Sequence, residues 1–248
     1  MHRFYVPPEQ CGGSPIFLTG AEAHHALRVL RIQPEEQVTV LDGAGRQFVC
    51  KVEQSARERV TLAIVETKTM PLPFGRITLL QAIPKGKLIE SIIQKATELG
   101  VSRIVPLLSE RVVMHLDEKE ARRKAVKWQA VAVEAIKQSG AAWLPKIEMP
   151  MTPQHFLERN ETFELRLLAS LQQDSRHPRE FFNSFLQKEG RKPSFVCVWV
   201  GPEGDFSAQE SELIKDSGAF PITLGALVLR VETAAIYSLS ILNYELSA

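Results

Sequence analysis

The sequence is poor in cysteine and has no long apolar run, and both absences restrict the class of protein. Its cysteines, Cys11, Cys50 and Cys197, lie far apart along the chain, a spacing that fits neither a disulfide framework nor a zinc site. No stretch approaches the roughly 20 apolar residues of a membrane-spanning helix. The N-terminal segment MHRFYVPPEQ lacks the apolar core of a secretion signal. We therefore expect a soluble protein of the cytoplasm, without a bound metal or a membrane partner.

The common glycine-rich phosphate-binding motifs are also missing. Neither G-x-x-x-x-G-K-[ST] nor G-x-G-x-x-G occurs in the 248 residues, which argues against a P-loop and a Rossmann dinucleotide site. The net charge is only +1, but residues 73–150 carry 13 Lys and Arg against 8 Asp and Glu, and residues 151–248 carry 9 against 13. A basic middle region can attract a polyanion such as nucleic acid. Part of it, DEKEARRKAVK from Asp117, is also typical of a solvated helix face.

Residues 1–72 are predicted to form a small β-barrel domain. The segment QVTVLDGAGRQFVCKVEQ alternates apolar and polar residues around Asp42 and Gly43, which is the pattern of a β-hairpin. RVTLAIVE follows as a further strand. KTMPLPFG, with two prolines and a glycine, is typical of a linker to the next domain.

Residues 73–248 alternate between strand and helix patterns, which predicts an α/β domain with a mostly parallel sheet. The strand segments are ITLLQAI, VSRIVPLL, FELRLLAS and SFVCVWV. GKLIESIIQKATELG places its apolar residues on one helical face and ends at Gly100, and a long helix is expected from Asp117 to Ser139. Met114 is interpreted as an ordinary core residue.

The segment VWVGPEGDFSAQE, from Val198, predicts a ligand-binding turn. Its strand has no polar alternation, which indicates burial on both faces in a parallel sheet. Ser207 and Glu210 form an S-x-x-E capping box that begins a helix. Ligands of open α/β sheets bind beyond the C-terminal ends of strands, and Gly201 and Gly204 allow close approach to the main chain. The alternative is a plain strand-to-helix turn with structural glycines. The acidic residues of the turn favour a cationic or neutral ligand over a phosphate.

A second turn, within FPITLGALVLRVETAAIYSLSILNYEL, has a related pattern. A strand is expected to run to Leu224 and a helix to begin near Glu232 and Thr233. The loop between them offers apolar side chains and free main-chain groups, which suit a flat uncharged base. Its apolar residues are Leu224, Leu227, Val228 and Leu229. Arg230 is the lone cation there, either in the site or as an ion-pair partner of Glu232.

These segments, in order, resemble the RsmE family, whose members methylate N3 of a uridine in the 16S ribosomal RNA of the small subunit and belong to the SPOUT superfamily. GPEGDFSAQE followed by LGALVLRVETA is similar to the family signature. HHALRVLRI and LDGAG are similar to its N-terminal domain. QAIPKGKLIESIIQKATELGVSRIVPLLSERVV and WQAVAVEAIKQSG are similar to its central segment. The resemblance covers nearly the whole chain.

The resemblance implies a fold, a cofactor and an assembly that no periodicity indicates. It implies a PUA-like RNA-binding barrel and an α/β SPOUT-type domain whose C-terminal trefoil knot binds S-adenosylmethionine. It implies a homodimer whose active site uses both subunits. It also implies cofactor contacts at one strand end and in both turns, namely at Leu168, Gly201, Glu203, Gly204, Leu224, Gly225, Val228, Leu229 and Thr233.

The chemistry that the resemblance implies calls for removal of a proton. Uridine N3 is a poor nucleophile while protonated, so it must lose that proton before or during transfer. No histidine lies in the two turns. The resemblance places Arg230 and Glu232 beside the reacting methyl group or in support of the loop. We expect Arg230 to stabilise charge on a uracil oxygen, and Glu203 or Glu232 to accept the proton directly or through water.

Candidate RNA contacts lie mainly in the N-terminal domain. On an α-helix His24, Arg28 and Arg31 would share one face, at spacings of four and three, and this face could follow phosphates. The alternative is a surface helix without a ligand. The full set of candidates is Arg3, His24, His25, Arg28, Arg31, Lys85, Lys87 and Arg111. The expected partner is ribosomal RNA, in the assembled small subunit.

The sequence departs from the family pattern at several positions. Asp205 stands where the first turn usually has a third glycine, and Ala226 and Leu227 stand where a proline and a basic residue are usual. Ala141 stands where arginine usually follows Q-S-G. The missing basic residues concern RNA contacts, whereas cofactor binding depends mainly on backbone groups. Two other readings are a SPOUT methyltransferase for another base and a non-catalytic RNA-binding relative.

Overall fold

The computed structural model describes residues 1–56, 58–73, 75–112, 116–172 and 174–247. The chain divides into two compact units, Met1–Leu72 with Val133–Leu144, and Pro73–Ala132 with Pro145–Ala248. Met114 and Phe74, which the sequence assigned to the core and to the linker, lie outside the described residues.

The described part of the first unit is built on one sheet with the strand order β1-β3-β4-β5-β2. The predicted hairpin is confirmed, because β3 and β4 pair in antiparallel fashion. The Asp42 carboxylate closes its turn by accepting hydrogen bonds from the amides of Ala44 at 2.8 Å and Arg46 at 2.9 Å. Alternate residues of the strands point into a buried core. The strands are β1 His2–Tyr5, β2 Ile16–Leu18, β3 Gln37–Leu41, β4 Arg46–Ala56 and β5 Arg59–Thr69.

The helix that carries the candidate RNA residues of this unit is not a regular α-helix. α1 spans Gly20–His24 only, and His25–Leu30 continue it with π-helical hydrogen bonds. Arg31 ends the segment in the left-handed region, with a φ of 54°. The expectation that His24, Arg28 and Arg31 share one α-helical face is therefore wrong, because a wider turn and a left-handed residue change their directions.

A segment distant in sequence completes the first unit. α3 spans Glu118–Ser139, and from Val133 onward it belongs to this unit, although the sequence placed it in the second domain. The Arg3 guanidinium donates to the carbonyls of Lys137 at 3.2 Å and Gln138 at 2.8 Å. The buried Lys137 ammonium bonds to the carboxylates of Glu22 at 2.8 Å and Glu134 at 2.9 Å. These bonds fix the C-terminal end of α3 to β1 and α1 of the same unit.

The described part of the second unit contains a sheet in the order β11-β9-β10-β6-β7-β8, and every neighbouring pair is parallel. β10 lies between β9 and β6 and is buried over almost its whole length, as its unbroken apolar sequence predicted. The strands are β6 Arg76–Ala82, β7 Arg103–Leu107, β8 Lys146–Ile147, β9 Leu165–Ala169, β10 Phe195–Val200 and β11 Phe220–Ile222.

Helices pack against this sheet, as expected of an α/β fold: α7 contacts β6 and β10, and α5 contacts β9. α2 buries its predicted apolar face, and the capping box at the start of α6 is confirmed by the bonds between Ser207 and Glu210 at 3.0 and 3.2 Å. Within the described ranges, no helix has the length and apolar content to cross a membrane. The helices are α2 Leu88–Glu98, α4 Pro153–Glu158, α5 Pro178–Glu189, α6 Ala208–Asp216 and α7 Val231–Ser247.

We expect the three cysteines of the native protein to resist alkylation. All three are buried, and desolvation raises the pKa of Cys11 to about 11 and the pKa values of Cys50 and Cys197 to about 12. At pH 8 almost no reactive thiolate is therefore present. Mass spectrometry after iodoacetamide treatment should find the native chain unmodified and the urea-denatured chain modified at all three. Rapid modification of the native chain at Cys197 would contradict the burial of β10.

Candidate active site

A cleft of about 640 Å³ lies in the second unit at the C-terminal ends of three adjacent strands. Because β9, β10 and β11 are parallel, the loops that follow them meet at one edge of the sheet. Leu88, at the start of α2, completes the wall. The loops contribute Ala169–Gln172, Val200–Glu203 with Asp205, and Thr223–Glu232 with Ala234.

The turn after β10 is built around a close approach of main-chain atoms. Asp205 has a φ of 60°, in the left-handed region, where aspartate is among the more tolerated side chains. Its Oδ1 atom accepts a hydrogen bond from the amide of Phe206 at 2.8 Å. A Cβ atom on Gly201 would lie 2.8 Å from this Oδ1 and 3.1 Å from the Asp205 Cα. A residue with a Cβ atom does not fit at position 201 in this turn, so glycine is required there.

Polar side chains attach this turn to neighbouring loops of the same unit. The Glu203 Oε1 atom accepts a hydrogen bond from the amide of Lys85 at 2.9 Å. The Arg111 guanidinium donates to the carbonyl of Gly204. The buried Glu210 carboxylate accepts from the amide of Glu110 at 2.9 Å, in addition to its capping bond. The loops after β6 and β7 thus hold the turn in place.

The loop after β11 is more open than the sequence suggested. The strand ends at Ile222, where the amide of Ser170 donates to the Ile222 carbonyl at 3.1 Å, and not at Leu224. The Thr223 hydroxyl then accepts from the amide of Gly225 at 3.1 Å, which turns the chain away from the sheet. Leu227 and Val228 are each 78% exposed. They form an uncovered apolar rim and not a closed wall.

Arg230 is exposed beside Glu232, the first acidic residue of α7. Among the described residues, no ion pair joins the Arg230 guanidinium to Glu232. The lining residues that the structure describes include three carboxylates, on Glu203, Asp205 and Glu232, and the one guanidinium of Arg230. The cleft is therefore acidic, which favours a cationic ligand.

Most of the predicted cofactor and catalytic residues line this cleft. They are Gly201, Glu203, Leu224, Gly225, Val228, Leu229, Arg230 and Glu232. The described lining does not include Leu168, which is 1% exposed in the sheet core, nor does it include Gly204 or Thr233. The neighbour of Leu168, Ala169, is the first residue of β9 to reach the cleft.

Sequence reasoning missed the loop Ser170–Gln172, which lines the cleft after β9. This loop has no glycine and no charged residue, so no motif identifies it. Its only signal is the position after a strand of a parallel sheet.

The candidate RNA residues are dispersed. The Arg3 guanidinium donates hydrogen bonds to carbonyls of α3. The His25 ring packs edge-on against the ring of the buried Phe4, with 6.4 Å between the ring centres. His24, Arg28 and Arg31 are exposed. In the second unit, Lys85 and Arg111 lie on the loops that hold the turn after β10, and Lys87 precedes α2.

Comparisons with known proteins agree with this architecture. Residues 70–243 match the model of the RNA methyltransferase domain family, and residues 18–65 match that of the RNA methyltransferase PUA domain family. The chain is 33% identical to a ribosomal RNA small subunit methyltransferase E of Synechocystis, over 98% of this chain and 77% of that one.

Two solved structures are similar over nearly their whole length. A methyltransferase from Legionella pneumophila, in complex with the cofactor SAM, has a TM-score of 0.87 and 32% identity, over 98% of this chain and 96% of that one. A ribosomal RNA small subunit methyltransferase E from Neisseria gonorrhoeae, bound to S-adenosyl methionine, has a TM-score of 0.85 and 29% identity, with the same coverage.

Fold and matches together define the class, an α/β RNA methyltransferase domain with an N-terminal PUA-like domain. The chain belongs to the family of ribosomal RNA small subunit methyltransferases E, the RsmE family.

We expect Gly201→Ala to destabilise the protein and Gly204→Ala to leave its stability nearly unchanged. The added methyl at position 201 would meet main-chain atoms at 3.1 Å, whereas at position 204 it meets only the Arg111 side chain, at 3.5 Å. Overpacking of this kind costs about 1–3 kcal/mol. Urea denaturation of both variants measures the difference. Equal stability of the two variants would show that the turn relaxes without cost.

Proposed function

We propose that this protein transfers a methyl group from S-adenosylmethionine to N3 of a uridine in the ribosomal RNA of the small subunit. The observation that carries the proposal is the Gly201–Asp205 turn, which opens into an acidic cleft at the strand ends. The chain that contains this turn belongs to the RsmE family.

The cleft has the properties that S-adenosylmethionine requires. Its volume of about 640 Å³ is typical of cofactor sites. Leu224, Leu229 and Val228 offer apolar surface for an adenine ring, and main-chain groups of the loops can bond to its edge. Gly201 leaves room for a ligand to approach the backbone. The acidic lining matches the positive sulfonium, and both similar SAM-bound structures support this assignment.

The chain's own residues have to prepare the uracil ring. Bound S-adenosylmethionine supplies an electrophilic methyl group, so the protein mainly positions the acceptor for an in-line attack. The exposed Arg230 guanidinium is placed at the cleft to stabilise negative charge on a uracil oxygen as the N3 proton leaves. We assign Glu232 as the acceptor of the N3 proton, because one oxygen of Glu203 already accepts a hydrogen bond from the Lys85 amide.

The RNA must present an unpaired or flipped-out uridine, because N3 is inaccessible within a base pair. Exposed His24, Arg28 and Arg31 of the PUA-like unit, and Lys85, Lys87 and Arg111 of the methyltransferase unit, are the proposed phosphate contacts. The proposed substrate is RNA in the assembled subunit, in the cytoplasm. Faster methylation of protein-free RNA than of assembled subunits would contradict this form of the substrate.

We also propose that the C-terminal segment is knotted. After β11, at one edge of the described sheet, the chain returns across the strand ends through residues 223–230. α7 then packs against α2, β6 and β10. Such a return path is compatible with a trefoil knot. A crystal structure whose C-terminal segment could be withdrawn without passing a loop would contradict it.

A homodimer is the proposed assembly. α7 exposes Tyr237 and Tyr244, 47% and 64% accessible, and the adjoining loop exposes Leu227 and Val228. Large apolar and aromatic side chains exposed on neighbouring segments are a feature that a subunit interface would cover. A solution mass equal to the single chain of 27.8 kDa, measured at micromolar concentration, would contradict this assembly.

The proposed reaction is tested with labelled S-adenosylmethionine and unmethylated small subunits, followed by nucleoside analysis. We expect label in 3-methyluridine, and Arg230→Ala should lower kcat by about 10²–10³, as loss of one oxyanion donor does. Its affinity for S-adenosylmethionine should change little. Lys188→Ala is the matched control, because it removes a positive charge from an exposed site on α5. A different methylated nucleoside would refute the substrate, and full activity of Arg230→Ala would refute its role.

Whether Glu232 or Glu203 accepts the N3 proton can be tested separately. Glu232→Gln should lower kcat by about 10²–10⁴, the usual contribution of a general base. Glu203→Gln should have a smaller effect on kcat, because its amide oxygen can still accept the Lys85 bond. If Glu203→Gln lowers kcat more than Glu232→Gln does, the proton acceptor is Glu203.

A further inference from the structure

Asp205 occupies a backbone position that usually favours glycine. It lies in the left-handed region at a φ of 60°, where glycine is unstrained and a side chain costs free energy. It is half-buried and lines the cleft. A side chain kept at such a position serves either the turn itself or the ligand.

The bonds of Asp205 leave part of its carboxylate available. Oδ1 accepts the amide of Phe206 at 2.8 Å, and the Asp205 amide donates to the carbonyl of Pro202 at 2.9 Å. An asparagine would make the same bonds with its amide oxygen and tolerates the same φ. The turn therefore explains a short polar side chain, but it does not explain the negative charge.

The negative charge of Asp205 acts differently on the methyl donor and on the product that the donor leaves behind. S-adenosylmethionine carries a sulfonium, an ammonium and a carboxylate, and so one net positive charge at neutral pH. The product S-adenosylhomocysteine has a neutral thioether and no net charge. The two ligands have nearly the same shape, so electrostatic interaction is the main means by which a site can distinguish them.

We infer that Asp205 is a specificity residue that favours binding of the cationic methyl donor over its neutral product. This inference rests on the proposed function of the cleft. The Arg230 guanidinium opposes the negative field of the described lining, and the carboxylates of Glu203 and Glu232 add to it. Asp205 raises the excess of negative charge in the described lining from one to two. Discrimination at this turn favours release of the product and limits its inhibition of the next turnover.

Titration calorimetry with both ligands tests the inference on the full-length wild type, Asp205→Asn and Asp205→Gly. We expect each variant to bind S-adenosylmethionine about three- to fivefold more weakly, the range of a partly exposed charge interaction. Affinity for S-adenosylhomocysteine should stay within about twofold. The wild-type preference should also decrease with added salt. Asp216→Asn is the matched control, because it removes the same charge from an exposed position at the end of α6.

Several results would overturn the inference. If both ligands lost affinity equally, Asp205 would only shape the turn. If neither affinity changed, the charge of Asp205 would not act on the bound ligand. The same loss of preference in Asp216→Asn would mean that the general field of the protein is responsible. In each case the proposed function stands, because the wild type binds the donor. A wild type that binds neither ligand would overturn the proposed function, and this inference with it.

Discussion

The close approach of Gly201 to Asp205 and Phe206 is the constraint on which the rest of the site depends. The main chain leaves β10, folds back within hydrogen-bonding distance of itself, and enters α6 through the capping box of Ser207 and Glu210. A Cβ atom at position 201 would push the main chain of Gly201 away from that of Asp205 and Phe206. The same compactness leaves backbone groups facing the cleft, where a ligand can reach them.

Two loops that are distant in sequence, those after β6 and β7, hold the turn in place through three contacts. Lys85 bonds to Glu203, Arg111 bonds to Gly204, and Glu110 bonds to Glu210. Each contact joins residues about a hundred positions apart in sequence, and each involves a main-chain donor or acceptor. Such bonds fix geometry more than they add stability, because each contributes about 1 kcal/mol. A methyl-transfer site needs that geometry, since its main task is alignment.

Much of the fold could be predicted from periodicity and turn chemistry. The hairpin around Asp42, the apolar face of α2 and the buried strand β10 all follow from side-chain period and composition. The predicted helix face is wrong where the backbone departs from regular geometry. The segment His25–Leu30 is π-helical and Arg31 is left-handed, so an α-helical wheel gave the wrong face. The loop Ser170–Gln172 lacked any motif, and α3 joined the first unit through bonds from Arg3 and Lys137 that no local pattern indicates.

The sequence by itself determined which residues can form the two turns, because glycine, proline and capping residues act on their immediate neighbours. It also determined the charge of the cleft, since Glu203, Asp205 and Glu232 lie within those segments. Only the tertiary structure decided that the turns meet, because β9, β10 and β11 are neighbours through long-range pairing. It also decided that Leu168 is buried while Ala169 lines the cleft, because strand register and not composition sets where a chain leaves the sheet.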